Sequence, residues 1–529
     1  MLVREWRENV WGDINEPWDV LIIGGGITGA GLFRMAAKSG LKTLLVEAND
    51  FAFGTSSRSS KLVHGGLRYL KNGQYNVTFE SVRERERLLK EVPCLVTPLE
   101  FIFPTYEKYY TPAWQIDLSL GIYDLFGLKN THGKLSIKDL ENKDPNLNRT
   151  GLVFSHYYYD ALVDDARLVL RNIKEGIALG GIALNYAKVD KLLVDNRGQV
   201  CGVVIIENDF NKKPLTKEVS AKVVVNATGP WTDDLRTQVS GQKIIRKLRG
   251  SHIQFAHDRF PINCAFSIIH PLDRRSLFVL PWEGVTVVGT TDIDHPVEME
   301  LQSTEPFMTK AEEEYLLVAA NHFFPKFVLS SKDIISSFSG LRPILRSDEA
   351  NPSKASRAHA LLEENGLITI TGGKLTTYRK MAYEVMQKVQ VRLNKKLNLF
   401  KEEKIFFPNA EVINGNYSEV VLQRWSGRFG DDLLIFLESI RADENKCVSG
   451  TTVYWSEIRW AARNECVVHL DDLLLRRVRL GLLLPNGGIQ HAEQIRKITQ
   501  EELNWDQMRW EQELHRYKSI WKNFYYLPD

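Results

Sequence analysis

The feature that most constrains the fold lies near the N-terminus, where a short apolar run stops at consecutive glycines. Residues 19–23 (DVLII) predict a buried strand, residues 27–39 predict a helix that ends at Gly40, and residues 42–46 (KTLLV) predict a second strand. A strand, a helix and a second strand in this order build a parallel sheet. The chain is therefore expected to begin with an α/β unit.

A glycine pattern typical of dinucleotide-binding proteins lies between that strand and that helix. The segment GGGITG contains Gly24, Gly26 and Gly29 at the required spacing. Gly24 allows the tight turn, Gly26 lets the backbone approach a pyrophosphate, and Gly29 lets the helix pack against the strand. The helix N-terminus offers N–H groups to the anion, and Glu47 lies where a carboxylate accepts hydrogen bonds from a ribose diol. An ordinary glycine turn is the alternative, but the surrounding unit favours a dinucleotide site.

Two later glycine motifs favour FAD over NAD. The segment NATGPW places Ala227, Thr228 and Gly229 at the end of an apolar run, where a distant strand can return to the dinucleotide site. A glycine pair ending at Gly373 precedes a predicted helix at 374–390, whose N-terminal N–H groups can face the electron-rich edge of a reduced flavin. In flavoproteins of this type the dinucleotide unit lies at the extreme N-terminus, as it does here.

Other strand patterns indicate more than one domain. The 529 residues are too many for a single hydrophobic core. Residues 223–228 and 367–371 predict further buried strands, whereas three later segments have antiparallel character. Those segments are 250–255, 276–282 and 285–292.

The predicted fold class is α/β, with an N-terminal Rossmann-like FAD-binding domain, a mixed antiparallel-sheet substrate domain and a C-terminal helical cap domain. From about residue 400 the pattern changes to helices rich in Arg, Trp and Leu, such as 456–481. The predicted boundaries are an extension at 1–18, a FAD-binding domain within 19–400 (about 19–95, 150–250 and 335–400), an interleaved substrate domain (about 96–149 and 250–335) and a cap at 401–529.

Composition and charge exclude other classes. The 68 basic and 66 acidic residues leave a net charge of +2, so no basic excess indicates nucleic acid. The five cysteines are odd in number and include no CxxC pair, which argues against disulfides or a zinc site and favours a reducing compartment. Residues 1–18 do not resemble a signal peptide, and no window reaches the roughly 18 apolar residues of a membrane span. We expect a cytoplasmic protein that can still lie on a membrane.

A series of motifs carries a family resemblance over residues 19–380. In order they are DVLIIGGGITGAG, TSSRSSKLVHGGLRYL, VDDARLVL, NATGPW, GSHI, FVLPW, GTTD, SGLRP and GGKLTTYRK. Together they closely resemble the FAD-dependent sn-glycerol-3-phosphate dehydrogenases, an aerobic, quinone-linked family, and residues 459–484 are similar to that family's C-terminal cap. The chain departs from the family at Phe33, where a small residue usually packs, and in a longer N-terminus before Asp19.

The resemblance implies oxidation of the C2 alcohol of glycerol 3-phosphate to dihydroxyacetone phosphate. The hydride would pass from C2 to flavin N5, and the electrons would pass to a membrane quinone. This chemistry needs cations for a dianionic phosphate, a base for the hydroxyl proton and positive charge beside the alkoxide. The protein would lie peripherally on the inner face of the cell membrane, and a homodimer is a further option.

The segment SSRSSKLVHGGLRYL supplies candidates for these roles. Gly65 and Gly66 would let the flavin ring lie close to the backbone. The resemblance implies that Arg68 binds the substrate phosphate or hydroxyl, with Tyr69 beside it. The serines that would offer hydroxyls to the pyrophosphate or the ring are Ser56, Ser57 and Ser60.

Two histidines are candidate catalytic bases. His64 titrates near neutrality when unperturbed, although it can equally be a structural residue that holds the loop. His252, in GSHI, is the rival base or a polar partner at the substrate end. A histidine within a strand is often a hydrogen-bonded core residue, so the sequence leaves the choice open.

Arg342, in SGLRP, and Lys374, in GGKLTTYRK, are the strongest candidates for catalytic and substrate-binding roles. Each is predicted to lie in a glycine-bounded turn at the end of a strand, where ligands bind in such sheets. The resemblance places Arg342 on the substrate and Lys374 near the flavin. Arg275 is a second phosphate candidate, although the adjacent arginine competes with it. Thr376 and Thr377 are expected to hydrogen-bond the flavin pyrimidine.

The acid pair Asp164-Asp165 has two interpretations. Paired carboxylates can indicate glycosidase-like or metal chemistry. An Asp directly before the apolar run ARLVL also fits a helix N-cap. We favour the N-cap.

Three sets of residues are considered for membrane contact, because a quinone is apolar. Residues 112–129 contain apolar side chains at roughly helical spacing, as on an interfacial helix, although a core-facing helix is slightly favoured. Those side chains are Trp114, Leu118, Ile122, Leu125 and Phe126. The second set is Trp6, Trp11 and Trp18; the third is Arg476, Arg477 and Arg479, for which a solvated basic face is the usual explanation.

Three alternative functions remain at this stage. An oxidase of the same fold would give the electrons to dioxygen. An amine or amino-acid oxidase would bind a carboxylate in place of the phosphate. A non-catalytic flavin-binding protein would hold FAD without reducing it.

Overall fold

A parallel sheet forms around the predicted strand–helix–strand unit. The structure is a computed structural model, and it describes residues 4–71, 73–209, 214–239, 242–303, 305–346, 358–399 and 417–528. The first strand, Trp18–Ile23, pairs in parallel with Thr43–Val46 and with Thr216–Asn226, and Leu367–Gly372 continues the sheet. The cores of these strands are apolar and buried, as expected when helices cover both faces.

Further strands extend this sheet on both sides. Ile182–Leu184 adds to it in parallel, and His359–Glu364 closes the other edge in the antiparallel sense. Ala187–Val194 and Val200–Glu207 form a hairpin that pairs with the start of Thr216–Asn226. The predicted Rossmann-like domain is confirmed.

The fingerprint helix, Ile27–Lys38, packs against Asp165–Ala178 through the residue that departs from the family pattern. Phe33 is fully buried there. A Cβ added to Gly176 or Gly181 would lie 2.4 or 2.6 Å from the Phe33 ring. These two glycines therefore make room for the large side chain.

Asp164 is the N-cap of the Asp165–Ala178 helix, as predicted. Its carboxylate accepts a hydrogen bond of 3.2 Å from the Arg167 N–H. Asp165 has a different role, because its carboxylate accepts hydrogen bonds from the Lys61 Nζ and from Ser59. Asp165 therefore holds the segment around Ser59 and Lys61 in place.

A second, mainly antiparallel sheet carries the substrate side of the fold. The predicted antiparallel strands lie in Ile245–Ala256, Ser276–Trp282 and Val285–Gly289. Leu152–Val163 and Ile334–Leu345 also belong to this sheet, so the segments assigned to the FAD-binding domain at 150–250 and 335–400 each contribute a strand to it. Its remaining strands are Leu62–Val63, Val96–Tyr106, Gly133–Leu135, Ala265–Ile269 and Ile293–Asp294.

Helices complete the two sheet domains and form the C-terminal domain. The predicted 374–390 helix is Tyr378–Arg392, after a 3₁₀ turn at Leu375–Thr377. Others in the N-terminal part are Arg4–Asp13, Leu67–Lys71, Tyr75–Glu91, Ala113–Gly127, Ile137–Lys143, Thr232–Arg236, Val297–Gln302 and Lys310–Phe323. The C-terminal helices are Glu419–Phe429, Leu433–Glu438, Trp455–Asn464, Leu480–Leu483, Ala492–Leu503 and Gln507–Phe524.

The predicted helical segment 456–481 is not one continuous helix. The helix ends at Asn464, and a π-helical segment follows at Asp472–Arg477. The arginines after the break turn inward to buried carboxylates. Arg476 and Arg477 both bond Asp50 at 2.6 Å, so ion pairing decides the path of this segment.

Burial of their side chains contradicts two of the three sets proposed for membrane contact. The structure buries Arg476, Arg477 and Arg479 almost completely, so they form neither a lipid-facing nor a solvated basic face. Arg479 pairs with Asp164 at 3.0 Å. Trp11 and Trp18 are also buried, because they pack in the core beside the first sheet.

The remaining set lies on the Ala113–Gly127 helix, which has both a core face and an exposed face. Ile116 and Leu120 are buried, whereas Trp114 and Leu118 are exposed. Within the described residues, no helix is both long and apolar enough to span a bilayer. This helix therefore lies against the protein with part of its apolar surface uncovered.

Candidate active site

A cavity of about 840 Å³ is lined by residues from both sheets. The fingerprint loop, the 54–69 segment and the turn after Leu367–Gly372 all contribute to its wall. It brings together most of the residues predicted from sequence. They are Gly24, Gly26, Glu47, Ser56, Ser60, His64, Tyr69, Ala227, Thr228, Gly229, His252, Arg275, Arg342, Gly373, Lys374 and Thr376.

The fingerprint glycines are required by close backbone contacts. A Cβ on Gly29 would lie 1.9 Å from the Gly24 carbonyl oxygen, which explains the tight strand–helix packing. A Cβ on Gly24 would lie 2.6 Å from the carbonyl oxygen of Ala227. The Ala-Thr-Gly segment therefore does return to the glycine turn. Ser56 Oγ accepts a 2.9 Å hydrogen bond from Ile27 N–H at the helix start.

Glu47 lies in the cavity wall at the end of the second strand. Its carboxylate accepts hydrogen bonds from the N–H groups of Gly25, at 2.6 Å, and Asn49, at 2.9 Å. Burial raises the pKa of the Glu47 carboxyl, and these N–H donors oppose that rise. The Glu47 carboxylate is thus held in place on the cavity wall by backbone donors.

Some of the predicted residues do not line the described cavity wall. Ser57 is buried, and its carbonyl oxygen accepts from Lys61 Nζ at 2.7 Å. A Cβ on Gly65 would lie 2.4 Å from Val82, so local packing is enough to explain that glycine. The side chain of Arg68 lies outside the part of the chain that the structure describes.

Lys374 and Tyr69 form one corner of the cavity. The Lys374 Nζ lies 3.8 Å from the centroid of the Tyr69 ring and donates a 3.0 Å hydrogen bond to Ser81 Oγ. Gly66 has φ +82° there, and a Cβ on it would meet the Tyr69 ring at 2.2 Å. The glycine therefore allows the ring and the ammonium group to stack. Thr376 lies next to them and donates to the His64 carbonyl oxygen at 3.3 Å.

Two arginines present guanidinium groups in the same cavity. Arg342 lies within the Ile334–Leu345 strand, so the predicted turn position is wrong; its register partner is Leu248. Its Nη1 bonds Asp292 at 2.9 Å and its Nη2 bonds Thr290 Oγ1 at 2.8 Å. Arg275 Nη1 donates to the Asp292 carbonyl oxygen at 2.6 Å. Asp292 thus positions both cations.

The two candidate bases differ in their environments. His64 is half-buried in the cavity wall, and its ring and the Phe278 ring pack in an edge-type contact with centroids 6.2 Å apart. His252 is 2% exposed, and its Nε2 lies 2.9 Å from Ser60 Oγ. Burial lowers the pKa of His252 well below 6.5, and the charges of Arg342 and Lys61 add to the effect.

Several residues that organise this site are not among the predicted site residues. Asp292 and Thr290 belong to the GTTD motif, which was part of the resemblance, so their motif was a usable signal. Asp160 also lines the cavity, and its carboxylate accepts from Arg85 Nη1 and Tyr123 Oη, both at 2.6 Å. It lies in a tyrosine-rich strand segment with no recognisable motif.

Comparison with known proteins agrees with this geometry. Residues 19–379 match the family described as FAD dependent oxidoreductase, and residues 368–510 match the C-terminal domain of alpha-glycerophosphate oxidase. The chain is 38% identical over 498 residues to the aerobic glycerol-3-phosphate dehydrogenase of Staphylococcus aureus (strain USA300), covering 88% of this chain and 87% of that protein.

Solved structures are similar over the same regions. The glycerol-3-phosphate dehydrogenase of Bacillus halodurans, complexed with FAD, has a TM-score of 0.78 and 28% identity, covering 99% of this chain and 98% of that one. The L-alpha-glycerophosphate oxidase of Mycoplasma pneumoniae has a TM-score of 0.57 at 17% identity, covering 74% and 98% of the two chains. The latter shows the shared fold alone.

The fold and the site define an FAD-dependent oxidoreductase. Within that class, the chain belongs to the family of aerobic glycerol-3-phosphate dehydrogenases. The residues fit FAD: Gly24 and Gly26 leave a cradle at the helix N-terminus, and Glu47 lies beside it. The same cavity continues to Lys374, as a cofactor with a nucleotide end and a reactive ring requires.

Proposed function

We propose that the protein oxidises sn-glycerol 3-phosphate at C2 to dihydroxyacetone phosphate and passes the electrons to a membrane quinone. The observation that carries this proposal is the meeting of Arg342 and Lys374 with the FAD-binding glycines in one cavity. Basic side chains in such a wall suit a dianionic phosphate ester. The names of the 38% identical relatives support the same substrate.

The substrate is held by side chains that are already oriented. Bound FAD supplies the acceptor, flavin N5, for the hydride that leaves C2. Arg342 is fixed by Asp292 and Thr290, and Arg275 is fixed by Asp273 at 2.6 Å. Preorganised guanidinium groups bind phosphate with little loss of side-chain entropy.

His64 is the proposed base for the C2 hydroxyl proton. Its side chain lines the cavity and is half-buried, so a substrate hydroxyl can reach it. A base works best when its pKa lies near the working pH, and the lowered pKa of buried His252 makes that ring a weak proton acceptor. His252 instead orients Ser60 through the 2.9 Å contact.

Lys374 stabilises the negative charge that develops on the C2 oxygen. Its ammonium group is fixed between the Tyr69 ring and Ser81 Oγ, so it needs no rearrangement during the reaction.

The exposed apolar side chains of the Ala113–Gly127 helix support peripheral contact with a bilayer, where a quinone is dissolved. The inner face of the cell membrane is the proposed location.

The proposal is tested by anaerobic reduction of the purified, FAD-loaded protein. Glycerol 3-phosphate should bleach the flavin absorbance, and Arg342→Ala or Lys374→Ala should each slow bleaching by about 100-fold or more, because a preorganised charge is lost. Rapid-mixing absorbance measures the rate, and the flavin content of each variant is measured first.

The control is Arg496→Ala, which removes an arginine from an exposed ion pair with Glu493. It should bleach at the normal rate. Normal bleaching in both cavity variants would show that the site assignment is wrong. Bleaching by amino acids but not by glycerol 3-phosphate, or stoichiometric peroxide release in preference to quinone reduction, would contradict the proposed function.

A further inference from the structure

The segment of residues 55–61 contributes to the cavity wall and is fixed by one buried carboxylate. Ser59 and Ser60 line the cavity, whereas Lys61 is fully buried. The Lys61 ammonium group donates to the two oxygens of Asp165 at 3.0 and 2.9 Å. The same carboxylate accepts from the Ser59 N–H at 3.0 Å and from Ser59 Oγ at 2.7 Å. Asp165 thus holds the backbone and side chains of this segment from behind the cavity wall.

The C-terminal domain supplies a second cation to this carboxylate. Arg479 is almost completely buried, and its Nη2 donates to both Asp165 and Asp164. Its Nη1 lies 3.4 Å from the Ser57 carbonyl oxygen, which also accepts from Lys61 Nζ at 2.7 Å. Loss of the guanidinium group would leave the two buried carboxylates short of positive charge, which is unfavourable in a protein interior. Arg479 therefore contributes to the position of the 55–61 segment.

The backbone at both cationic residues adopts a conformation that needs support from its neighbours. Lys61 has φ +61° and Arg479 has φ +65°. Residues other than glycine rarely adopt this left-handed region, and they stay in it where surrounding contacts hold them. Because both side chains end on Asp165, one set of ion pairs holds both turns.

A second contact from the C-terminal domain reaches the same segment through Arg58. The Arg58 side chain lines the cavity, pairs with Glu305 and lies 5.0 Å from the centroid of the Tyr525 ring. The Tyr525 carbonyl oxygen accepts a 2.9 Å hydrogen bond from the Ser337 N–H, on the strand that carries Arg342. Tyr525 therefore connects the C-terminal domain to the segment and to the strand of the substrate side.

The segment determines where two groups of the cavity lie. Ser60 Oγ is 2.9 Å from His252 Nε2. The chain then continues through the short strand Leu62–Val63 to His64, the proposed base. A displacement of about 1 Å at a reacting group can slow a reaction by about 100-fold. The cations proposed for the phosphate are instead anchored on Asp292, so the segment affects the chemical step more than phosphate binding.

We propose that Arg479 and Tyr525 of the C-terminal domain are positioning residues for hydride transfer, because they hold the 55–61 segment and thereby Ser60 and His64. This inference rests on the proposed function for the reaction that it names. Neither Arg479 nor Tyr525 belongs to the cavity wall that the described residues form. The C-terminal domain therefore takes part in the chemical step through residues of the FAD-binding domain.

Two measurements on the FAD-loaded protein test the role of Arg479. Arg479→Met removes the charge and keeps most of the side-chain volume. The rate constant of anaerobic bleaching at saturating glycerol 3-phosphate should fall at least about tenfold, while the half-saturating concentration changes less than about threefold. Without substrate, hydrogen exchange at the amides of residues 55–63 should become at least about tenfold faster, as measured by mass spectrometry. Arg479→Lys, which restores the charge, should recover most of the rate.

The matched control removes another buried arginine of the C-terminal domain. Arg459 is almost completely buried and pairs with Glu444 at 2.6 Å, and its ion pairs stay within this domain. Arg459→Met should lower the melting temperature as Arg479→Met does. Bleaching should stay within about twofold of the normal rate, and exchange at residues 55–63 should not change, because the altered site does not contact that segment.

The second contact is tested by two substitutions that leave the ion pairs at Asp165 in place. Tyr525→Leu removes the ring beside Arg58 and should slow bleaching at saturating substrate by about fivefold or more. Tyr525→Phe keeps the ring and should bleach within about twofold of the normal rate. If Arg479→Met does not fold, this pair decides by the same two measurements.

The outcomes distinguish this inference from the proposed function. Normal bleaching and normal exchange in Arg479→Met and Tyr525→Leu would overturn the inference. An equal loss of rate in Arg459→Met would also overturn it, since the C-terminal domain would then only stabilise the protein. Failure of the unaltered protein to bleach with glycerol 3-phosphate would overturn the proposed function, whereas exchange at residues 55–63 would still show whether Arg479 and Tyr525 hold the segment.

Discussion

Folding keeps the buried histidine of the cavity neutral. Burial lowers the pKa of His252 well below 6.5, so its ring carries no proton in the folded protein near neutral pH. The unfolded chain, in contrast, binds a proton there below about pH 6.5. His252 therefore makes the folded state less stable only as the pH falls below that value, and it adds no step to a pH–rate profile near neutrality.

Replacing each histidine by asparagine should give different pH–rate profiles for flavin bleaching. His64→Asn should lower the rate by about 100-fold or more and remove the profile's acid limb, because the base is lost. His252→Asn should lower the rate only by up to about tenfold, the value of one hydrogen bond, and keep the shape of the profile. Rapid mixing at several pH values measures both. The reverse pattern would assign the base to His252.

Packing between two helices accommodates the large residue behind the fingerprint. Phe33 on the Ile27–Lys38 helix fills the space left by Gly176 and Gly181. A Cβ atom on either glycine would lie closer to the Phe33 ring than Cβ atoms normally approach other atoms. The fingerprint helix therefore depends for its position on a matched aromatic ring and glycine pair.

Gly176→Ala should destabilise the protein by about 1–3 kcal/mol, the usual cost of overpacking a core. Phe33→Leu should also be destabilising, because it leaves a cavity. The double variant should lose less than the sum of the two changes, since the smaller side chain makes room for the added methyl group. Melting temperatures of the FAD-loaded variants measure the coupling. Strict additivity would show that the two residues do not compete for space.

Local patterns predicted some elements well and missed those that distant partners determine. The strand–helix–strand unit follows from apolar periodicity and glycine positions, which act within a few residues. The break after Asn464 does not, because it depends on Asp50, more than 400 residues away in the chain. Arg342 was expected in a turn for the same reason: the pairing of its strand with Ile245–Ala256 is a long-range contact that glycine punctuation does not reveal.

Buried ion pairs join the C-terminal domain to the FAD-binding domain. Asp50, which follows Glu47 of the cavity wall by three residues, accepts hydrogen bonds from both Arg476 and Arg477. Burial alone would raise the pKa of the Asp50 carboxyl, but Arg477 and Arg476 outweigh that effect and hold its pKa below the usual value. Stability from this carboxylate is therefore present above the pKa of the unfolded chain and is lost in strong acid.

Asp50→Asn should lower the stability of the whole molecule by about 3–5 kcal/mol, because it leaves two buried arginines without their shared charge partner. The melting temperature should fall and proteolysis between the domains should become faster, with the difference from the unaltered protein constant from about pH 5 to 8. Glu493→Gln, which breaks an exposed pair with Arg496 at 2.7 Å, is the matched control and should change stability by less than about 0.5 kcal/mol. Equal effects of the two substitutions would mean that the ion pairs at Asp50 do not hold the C-terminal domain against the cofactor domain, and that apolar packing alone does so.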